Sequence, residues 1–351
     1  MSNVNVGVVV SRFSYISNAH VDMIKKANAE NDFVIISIGS SDRSRSVEHP
    51  FTLDERSAFI EKIISNDDAL KGMSYRIVAL PDAPYNQYSW TNTVHGKIYD
   101  VLDDINISCD SINVYTFKSP QYHYETLFPE PSFTLTFVSH GLENIRDLLF
   151  NNGGRVGDLI ENCPQSYVEY IIDFMTTDTY TQLLSEYNSI EYMISSWEAS
   201  PFPPTFVTTD AVVYCKGHVL LVTRNNPVGK GLYCLPGGFL GQTSTITDGI
   251  IDNLKKDTSI KVSKPILKSN IVKNAVFDDP YRSQRGRIIT NVGLIMLDNV
   301  TSLYSLPEVK EVKGQKTHAQ WVPVHHIDKL RDKFFEDHYY IIKSMLTSLD
   351  T

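Results

Sequence analysis

The first half of this chain alternates short apolar runs with longer stretches of helical character. The apolar runs are Val6 to Val10, Phe33 to Ile38, Tyr75 to Leu80, Ile112 to Tyr115 and Thr134 to Val138. Such alternation is typical of parallel strands joined by helices, because parallel neighbours need a crossover connection. The pattern therefore predicts an α/β domain with a parallel sheet.

The second half predicts a separate domain. Tyr167 to Trp197 indicates two amphipathic helices, and three prolines within residues 201–204 then prevent helix continuation. We expect a first domain at residues 1–197, a proline-rich linker at 198–205 and an α+β domain at 206–351. Its predicted elements are strands at Ala211 to Tyr214, Val219 to Thr223 and Asn291 to Leu297, and a helix around His338 to Leu346.

Composition argues against several classes of function. The net charge is −9, with 41 acidic and 32 basic residues, which gives no reason to expect binding to nucleic acid or to an anionic membrane. No apolar run reaches the length of a membrane span and no signal peptide is indicated, so we expect a cytoplasmic protein. The four cysteines show neither zinc-site nor disulfide spacing. A homo-oligomer remains open.

The ends of the first two strands carry a candidate phosphate site. Arg12 and His20 flank a strand-to-helix junction, where ligands of open α/β sheets bind and helix N–H groups face the ligand. Gly39 and Ser40 follow the second strand, and Thr52 is a plausible N-cap of the next helix. For Arg12 and His20, the alternative is a surface arginine and a packed histidine.

Together these segments resemble bifunctional nicotinamide-mononucleotide (NMN) adenylyltransferases that carry a C-terminal Nudix domain. The family opens with Gly-Arg-Phe-Gln-Pro-Phe-His-x-Gly-His and continues with Gly-Ser and Asn-Pro-Phe-Thr-x-x-Glu-Arg elements. Later it has a Tyr-Asn element followed by tryptophan, and an Ile-Arg pair before a leucine-rich helix. The matching residues are Arg12, Phe13, His20, Gly39, Ser40, Pro50, Phe51, Thr52, Glu55, Arg56, Tyr85, Asn86, Trp90, Ile145 and Arg146.

The resemblance implies a Rossmann-like domain that transfers the adenylyl group of ATP, with Mg²⁺, to nicotinamide mononucleotide. NAD and pyrophosphate are the expected products. Catalytic roles fall on His20, Arg12 and Arg146, with Arg146 meeting the ATP phosphates. Nucleotide-binding roles fall on Phe13, Ser17, Gly39, Ser40, Arg56, Asn86, Trp90 and Ile145, with the Trp90 ring stacking on nicotinamide.

The chain departs from the family at several motif positions. Ser11 and Ala19 replace glycines, Tyr15 replaces a proline and Ser17 replaces the first histidine. Loss of one histidine donor to phosphate predicts turnover roughly tenfold to a hundredfold slower if Ser17 cannot substitute. Glu143 stands where the family has a hydroxyl, and its charge would repel triphosphate unless magnesium bridges them.

The second domain resembles a Nudix domain without its metal ligands. Leu235 to Leu240 resembles the start of a Nudix box, and an apolar stripe predicts the following helix. Nudix helices place glutamates at i, i+3 and i+4 on one face to bind magnesium. The corresponding positions here are Ser244, Asn253, Lys256 and Asp257, with Asp252 in place of the arginine. We expect that hydrolysis through this box is lost.

Other features of the second domain leave alternatives open. Arg282, Arg285 and Arg287 match an arginine-rich family segment, either as a retained contact to ADP-ribose or NAD or as a solvated loop. Asp337 and His338 suit a capping or packing role. A second hypothesis makes the protein a nucleotide-binding sensor or scaffold with both sites decayed, and a third retains ADP-ribose cleavage through Asp248, Asp252 and Asp257.

Overall fold

The computed structural model describes residues 4–119, 124–139, 145–151, 156–300, 305–310 and 318–347. The chain divides into two compact units, Met1–Leu184 and Ser185–Thr351, here called the first and second units. This division falls inside a helix at Asp178–Ser195, before the proline-rich segment. The boundary at 198–205 stays a prediction of where the domains separate.

The first unit contains a five-stranded sheet of order β3-β2-β1-β4-β5, in which every pairing is parallel. Its chain order reverses between β1 and β4, which makes the carboxyl end of β1 the topological switch point of the sheet. The predicted parallel α/β fold is confirmed. The strands are β1 (Val6–Ser11), β2 (Phe33–Ile38), β3 (Tyr75–Ala79), β4 (Ile112–Phe117) and β5 (Phe133–Val138).

Helices connect these strands, and their ends follow local sequence signals. Thr52 is an N-cap as predicted, since its Oγ1 accepts the Glu55 N–H while the Glu55 carboxylate accepts the Thr52 N–H. The helices are α1 (Asn18–Glu30), α2 (Leu53–Asn66), α3 (Gln87–Asp104), α4 (Tyr124–Leu127), α5 (Ile145–Phe150), α6 (Val156–Asn162), α7 (Gln165–Phe174) and α8 (Asp178–Ser195). The last two confirm the predicted amphipathic pair.

Burial fixes which face of each element points inward. Alternate residues of β1, among them Val6 and Val8, pack with Val94 and Ile98 of α3 in one buried cluster. Apolar side chains recur at every second residue of the strand and at helical spacing along α3. Each element therefore presents one apolar face, and the two faces form one core. The carboxyl ends of the strands and the loops that follow them are thereby held in fixed positions.

The second unit is built on a mixed sheet of order β10-β11-β6-β7-β12, with β8 paired to β7 and β9 paired to β6. Helix α9 covers it with the apolar stripe predicted from sequence, including Ile250 and Leu254. The elements are β6 (Thr205–Cys215), β7 (His218–Thr223), β8 (Tyr233–Cys234), β9 (Gly237–Phe239), α9 (Ile246–Thr258), α10 (Lys264–Ser269), β10 (Ile271–Phe277), β11 (Arg287–Met296), β12 (His318–Pro323), α11 (Val324–Ile327), a 3-10 helix (Asp328–Lys333) and α12 (His338–Thr347).

Within the described residues, no helix combines the length and apolarity needed to cross a lipid bilayer.

Candidate active site

His20 lies in the first turn of α1, beside the carboxyl end of β1. The residue is 7% exposed, and its ring packs against Phe13 and Phe117 with ring centroids 5.1 and 4.9 Å away. Nδ1 accepts the backbone N–H of Ser17 at 3.2 Å, and Nε2 lies 3.1 Å from Ser11 Oγ. The imidazole is therefore fixed at both nitrogens, and its contact with the Ser17 N–H also caps the helix.

The loop between β1 and α1 is tightly folded. Phe13 has a φ of 49°, a left-handed conformation that is rare for a bulky residue, and its side chain is 1% exposed. The structure gives this ring a packing role against His20. Ser17 is also buried, and its Oγ lies 3.0 Å from His20 Nδ1. Both predicted nucleotide-binding residues thus surround the histidine.

Arg12 projects from the same loop with its side chain 35% exposed. Its Nη1 donates to Glu48 Oε1 at 2.7 Å. The loop after β2 lies next to it, because the Gly39 N–H donates to the Ser11 carbonyl at 2.9 Å. The ends of β1 and β2 therefore lie side by side, with the Arg12 guanidinium at their edge. A bound phosphate would compete with Glu48 for Arg12.

Arg56 is buried beneath these two loops. Its guanidinium donates to the carbonyls of Arg12 at 2.6 Å, Gly39 at 2.8 Å and Ser40 at 3.1 Å. Burial lowers its pKa to about 10, so it remains charged near neutral pH. With 1% exposure and these donors directed at backbone oxygens, Arg56 joins the loops to α2 and positions them.

The carboxylate of Asp82 lies beside the loop after β2. Ser40 Oγ and Arg43 Nε donate to the Asp82 carboxylate at 3.1 and 2.6 Å. Burial would raise the pKa of Asp82, but the charge and hydrogen bond of Arg43 bring it below its usual value. Burial lowers the pKa of the neighbouring His49 to about 4, so that imidazole is neutral at physiological pH. Its Nδ1 lies 3.0 Å from Ser14 Oγ.

The remaining predicted nucleotide contacts lie on α3 and α5. Asn86 is the N-cap of α3, because its side chain accepts the Ser89 N–H at 2.9 Å, and Trp90 is partly buried against the core. Ile145 is buried, whereas Arg146 is 31% exposed by side chain and its Nε donates to Asp147 at 3.1 Å.

Tyr15 connects Arg146 with the strand-end loops. Burial raises the pKa of the Tyr15 phenol, the charge of Arg146 opposes that rise, and Glu48 adds to it. The charges of Arg146 and Glu48 therefore both act on the buried Tyr15 phenol. Glu143, predicted to repel triphosphate, lies outside the described residues.

The metal-binding positions of the Nudix helix have other partners. Asn253 Nδ2 donates to Thr209 Oγ1 at 2.9 Å and to the Gly238 carbonyl at 3.1 Å, while Lys256 is exposed. Asp257 accepts the Gly237 N–H at 2.9 Å, and burial raises the pKa of its carboxyl. Ser244, at the upstream position, offers a hydroxyl. An amide, an ammonium and one carboxylate do not suit a divalent metal ion.

A second buried carboxyl faces the same loop. Burial raises the pKa of Asp210 to about 6, and Thr290 Oγ1 donates to it. A Cβ added at Gly237 would lie 1.9 Å from Asp210 Oδ1, so only glycine fits between this acid and Asp257. Sequence reasoning missed Asp210, which carries no motif and is brought here by the pairing of β6 with β9.

The arginine-rich segment is anchored to the start of α12. Arg282 Nε and Nη2 donate to the two Asp337 carboxylate oxygens at 2.8 Å each, with side-chain exposures of 3% and 2%. Arg285 donates to Glu336 at 3.0 Å. Arg287 Nη1 instead donates a hydrogen bond to the backbone carbonyl of Asp278 at 2.5 Å. The first two arginines are therefore packed into the unit.

His338, which directly follows Glu336 and Asp337 in the chain, also has a structural partner. His338 Nδ1 accepts the Leu235 N–H at 3.0 Å, and burial lowers the pKa of that imidazole to about 3. In the described residues Glu336, Asp337 and His338 offer ligand atoms within 4.8 Å of one another. Two of them are already bound to arginines, so these residues do not fit a metal ion.

These groups enclose a cavity of about 130 Å³ beside the Nudix helix. Arg224 lies over the Phe335 ring, with its guanidinium carbon 3.7 Å from the ring centroid, and Arg285 lies 5.2 Å from it. Sequence reasoning assigned no role to Arg224, although its position directly after β7 was visible. Arg224, Arg282 and Arg285 line the cavity together with the carboxyl groups of Asp210, Asp257 and Glu336.

Known proteins of two kinds, adenylyltransferases and an ADP-ribose pyrophosphatase, are similar to parts of this chain. Residues 8–133 match the cytidylyltransferase-like family. A nicotinamide/nicotinic acid mononucleotide adenylyltransferase from Acinetobacter baylyi is 24% identical over 184 residues, covering 52% of this chain and 93% of that protein. An ADP-ribose pyrophosphatase from Methanocaldococcus jannaschii is 29% identical over 89 residues, covering 25% of this chain and 49% of that protein.

One solved structure matches nearly the whole chain. It is a bifunctional NMN adenylyltransferase/ADP-ribose pyrophosphatase from Francisella tularensis, complexed with AMP and a manganese ion. It is 28% identical, covers 98% of this chain and 99% of its own, and has a TM-score of 0.85. With its parallel sheet and strand-end loops, the first unit is a nucleotidyltransferase domain, and residues 8–133 of it match the cytidylyltransferase-like family. Nearly the whole chain is therefore similar in sequence and fold to a bifunctional NMN adenylyltransferase/ADP-ribose pyrophosphatase, although its Nudix-box positions carry Ser244, Asn253, Lys256 and Asp257.

Proposed function

We propose that the first unit transfers the adenylyl group of ATP to nicotinamide mononucleotide. The observation that carries this proposal is the full-length similarity to the Francisella protein, together with the meeting of Ser11, Arg12 and His20 at the switch point of the sheet. An oxygen of the mononucleotide phosphate attacks the α-phosphorus of ATP. As that bond forms, the bond to the bridging oxygen breaks, and its electrons leave with pyrophosphate.

The protein contributes position and charge to this reaction, because phosphoryl and adenylyl transfers need little covalent chemistry from side chains. Arg12 and Arg146 neutralise phosphate oxygens. Arg56 donates to the backbone carbonyl of Arg12 and so positions the loop that carries the Arg12 side chain. Mg²⁺ enters as part of the ATP substrate. The partly buried Trp90 ring offers a stacking surface for nicotinamide, with Asn86 at the start of the same helix.

Incubation with NMN, ATP and magnesium is expected to produce NAD and pyrophosphate. Arg146→Ala should lower kcat/KM for ATP roughly tenfold to a hundredfold, because a hydrogen bond to a charged phosphate contributes about 1.5–3 kcal/mol. The measurement is coupled NAD formation. Arg76→Ala, an exposed arginine at the amino end of β3, is the matched control and should stay within about twofold. No NAD at high enzyme concentration would reject the proposal.

We further propose that the second unit has lost metal-dependent hydrolysis. The three acids that could replace the missing glutamates have other partners. Asp252 and Asp248 on α9 pair with Lys264 and Lys268 of α10, the first pair at 2.5 Å. Asp257 accepts the Gly237 N–H instead. These three carboxylates therefore do not gather on one face. Retained binding of ADP-ribose without cleavage, as in a sensor, is favoured by the arginines that line the cavity.

ADP-ribose with magnesium or manganese is expected to release no AMP above the uncatalysed rate, while calorimetry detects binding of the intact ligand. Asp257→Asn should leave both results unchanged within about twofold, as should the control Asp252→Asn on the opposite side of α9. Steady AMP release by the natural protein, abolished in Asp257→Asn but not in Asp252→Asn, would show that hydrolysis is retained.

A further inference from the structure

Two positions at which the chain departs from its family's first motif contact the histidine that remains. Ser11 stands where the family has glycine and Ser17 where it has histidine. Ser11 Oγ lies 3.1 Å from His20 Nε2, while the backbone N–H of Ser17 is 3.2 Å from His20 Nδ1. The two substitutions therefore act on one ring.

These contacts define the protonation of the ring. A backbone amide can only donate, so Nδ1 must offer a lone pair to the Ser17 N–H. The neutral imidazole then carries its proton on Nε2, and that N–H donates to Ser11 Oγ. The Ser17 hydroxyl, 3.0 Å from Nδ1, supports the same tautomer by donating to it. His20 thus gives its proton to a protein hydroxyl.

Ser11 in turn has one donor left to use. A hydroxyl has a single O–H and two acceptor lone pairs, and Ser11 Oγ accepts from His20 Nε2–H and, at 3.4 Å, from the Phe13 N–H. Within the described parts of the chain, no acceptor is recorded for the Ser11 O–H. The residue is partly exposed and ends the central strand of the sheet, where ligands of such sheets bind.

We propose that the Ser11 hydroxyl is a substrate-binding residue that donates to an oxygen of the ATP α-phosphate, with His20 and Ser17 as its positioning residues. This inference rests on the proposed adenylyl transfer and adds a donor that the family's glycine cannot supply. The proton stays on Ser11, since the interaction is a hydrogen bond and no proton is transferred. The serine thereby replaces part of the donor capacity lost with the motif's first histidine.

A competing explanation is that His20 only caps α1 and that Ser11 only fills space. Calorimetry with the magnesium complex of α,β-methylene-ATP separates the two explanations. Ser11→Ala should bind this analogue roughly tenfold to a hundredfold more weakly, because it loses a hydrogen bond to a charged group. Ser11→Thr, which keeps the hydroxyl and suits a strand end, should bind within about threefold of the natural protein.

The matched control is Ser65→Ala, an exposed serine near the end of α2, with no expected change. Equal affinity of Ser11→Ala and the natural protein would overturn the inference, as would equal weakening in Ser11→Ala and Ser11→Thr. Nitrogen NMR of the His20 ring gives an independent test. A proton on Nε2 and a bare Nδ1 at neutral pH are expected, and a proton on Nδ1 would overturn the proposed donor chain.

Failure of this inference and failure of the proposed function give different results. If the natural protein binds the analogue but makes no NAD, adenylyl transfer is rejected, and the affinity of Ser11→Ala still decides the role of the hydroxyl. If NAD forms and Ser11→Ala keeps both its affinity and its kcat, the function holds and the inference fails. A selective loss in Ser11→Ala with recovery in Ser11→Thr supports both.

Discussion

His20→Ala is expected to lower kcat for NAD formation on the order of a hundredfold, whereas Ser17→Ala should cost about tenfold or less. Removal of the imidazole eliminates the N–H that orients Ser11, and loss of one preorganised donor at a reacting oxyanion costs this much in other enzymes. The Ser17 variant keeps its backbone N–H on Nδ1, so the ring retains its tautomer. Steady-state kinetics at saturating ATP and NMN provides the measurement.

The control for this prediction is His20→Glu. A glutamate at this position can accept the Ser17 N–H as in a capping box, but its ionised carboxylate has no proton to donate to Ser11. We expect it to recover most of the thermal stability lost in His20→Ala without recovering kcat. Equal losses of kcat in His20→Ala and Ser17→Ala would contradict the assignment, and full activity in His20→Glu would reduce His20 to a helix cap.

Asp337→Ala is expected to lower the free energy of unfolding by about 3–5 kcal/mol, because it leaves the Arg282 guanidinium buried without its carboxylate. Two parallel hydrogen bonds of 2.8 Å join these side chains. The loss should appear as a lower urea midpoint in the transition of the second unit. Arg282→Met combined with Asp337→Leu should recover most of the stability, since the double replacement leaves no buried charge.

The matched control is Asp252→Ala, which removes an ion pair of similar chemistry that is half exposed on both sides. Exposed pairs contribute about 0–1 kcal/mol, so this variant should be nearly neutral. A similar destabilisation by Asp252→Ala and Asp337→Ala would show that burial of the second pair has no special effect. That result would favour the alternative interpretation, in which the arginine-rich segment is a solvated loop.

The five strands of the first sheet and helices α2 and α9 were predictable because their signals lie within a few residues of one another. Apolar runs placed the strands of the first sheet within one or two residues, with the end of β4 the largest difference, and the predicted N-cap at Thr52 placed the start of α2. The stripe of isoleucines and Leu254 predicted α9. Side-chain period and capping chemistry are local properties, and a single sequence carries them in full.

Roles that depend on partners were harder to predict. Arg56 matches a nucleotide-binding motif, and in the structure its donors reach the carbonyls of Arg12, Gly39 and Ser40, which the motif did not predict. These contacts depend on burial, which the motif does not encode. Asp210 was missed for the same reason, since its contact with the Gly237 loop arises only from the pairing of β6 and β9.

The sequence by itself determined the two kinds of fold, the family motifs and the loss of carboxylates from the Nudix helix. Only the tertiary structure decided that Ser11 and Ser17 hold opposite nitrogens of His20 and that Arg282 meets Asp337 across 55 positions of chain. Hydrogen bonds are directional and short, so they depend on how loops and strand ends are placed in three dimensions. Periodicity along the chain fixes which elements form, whereas sheet order and burial fix which side chains meet.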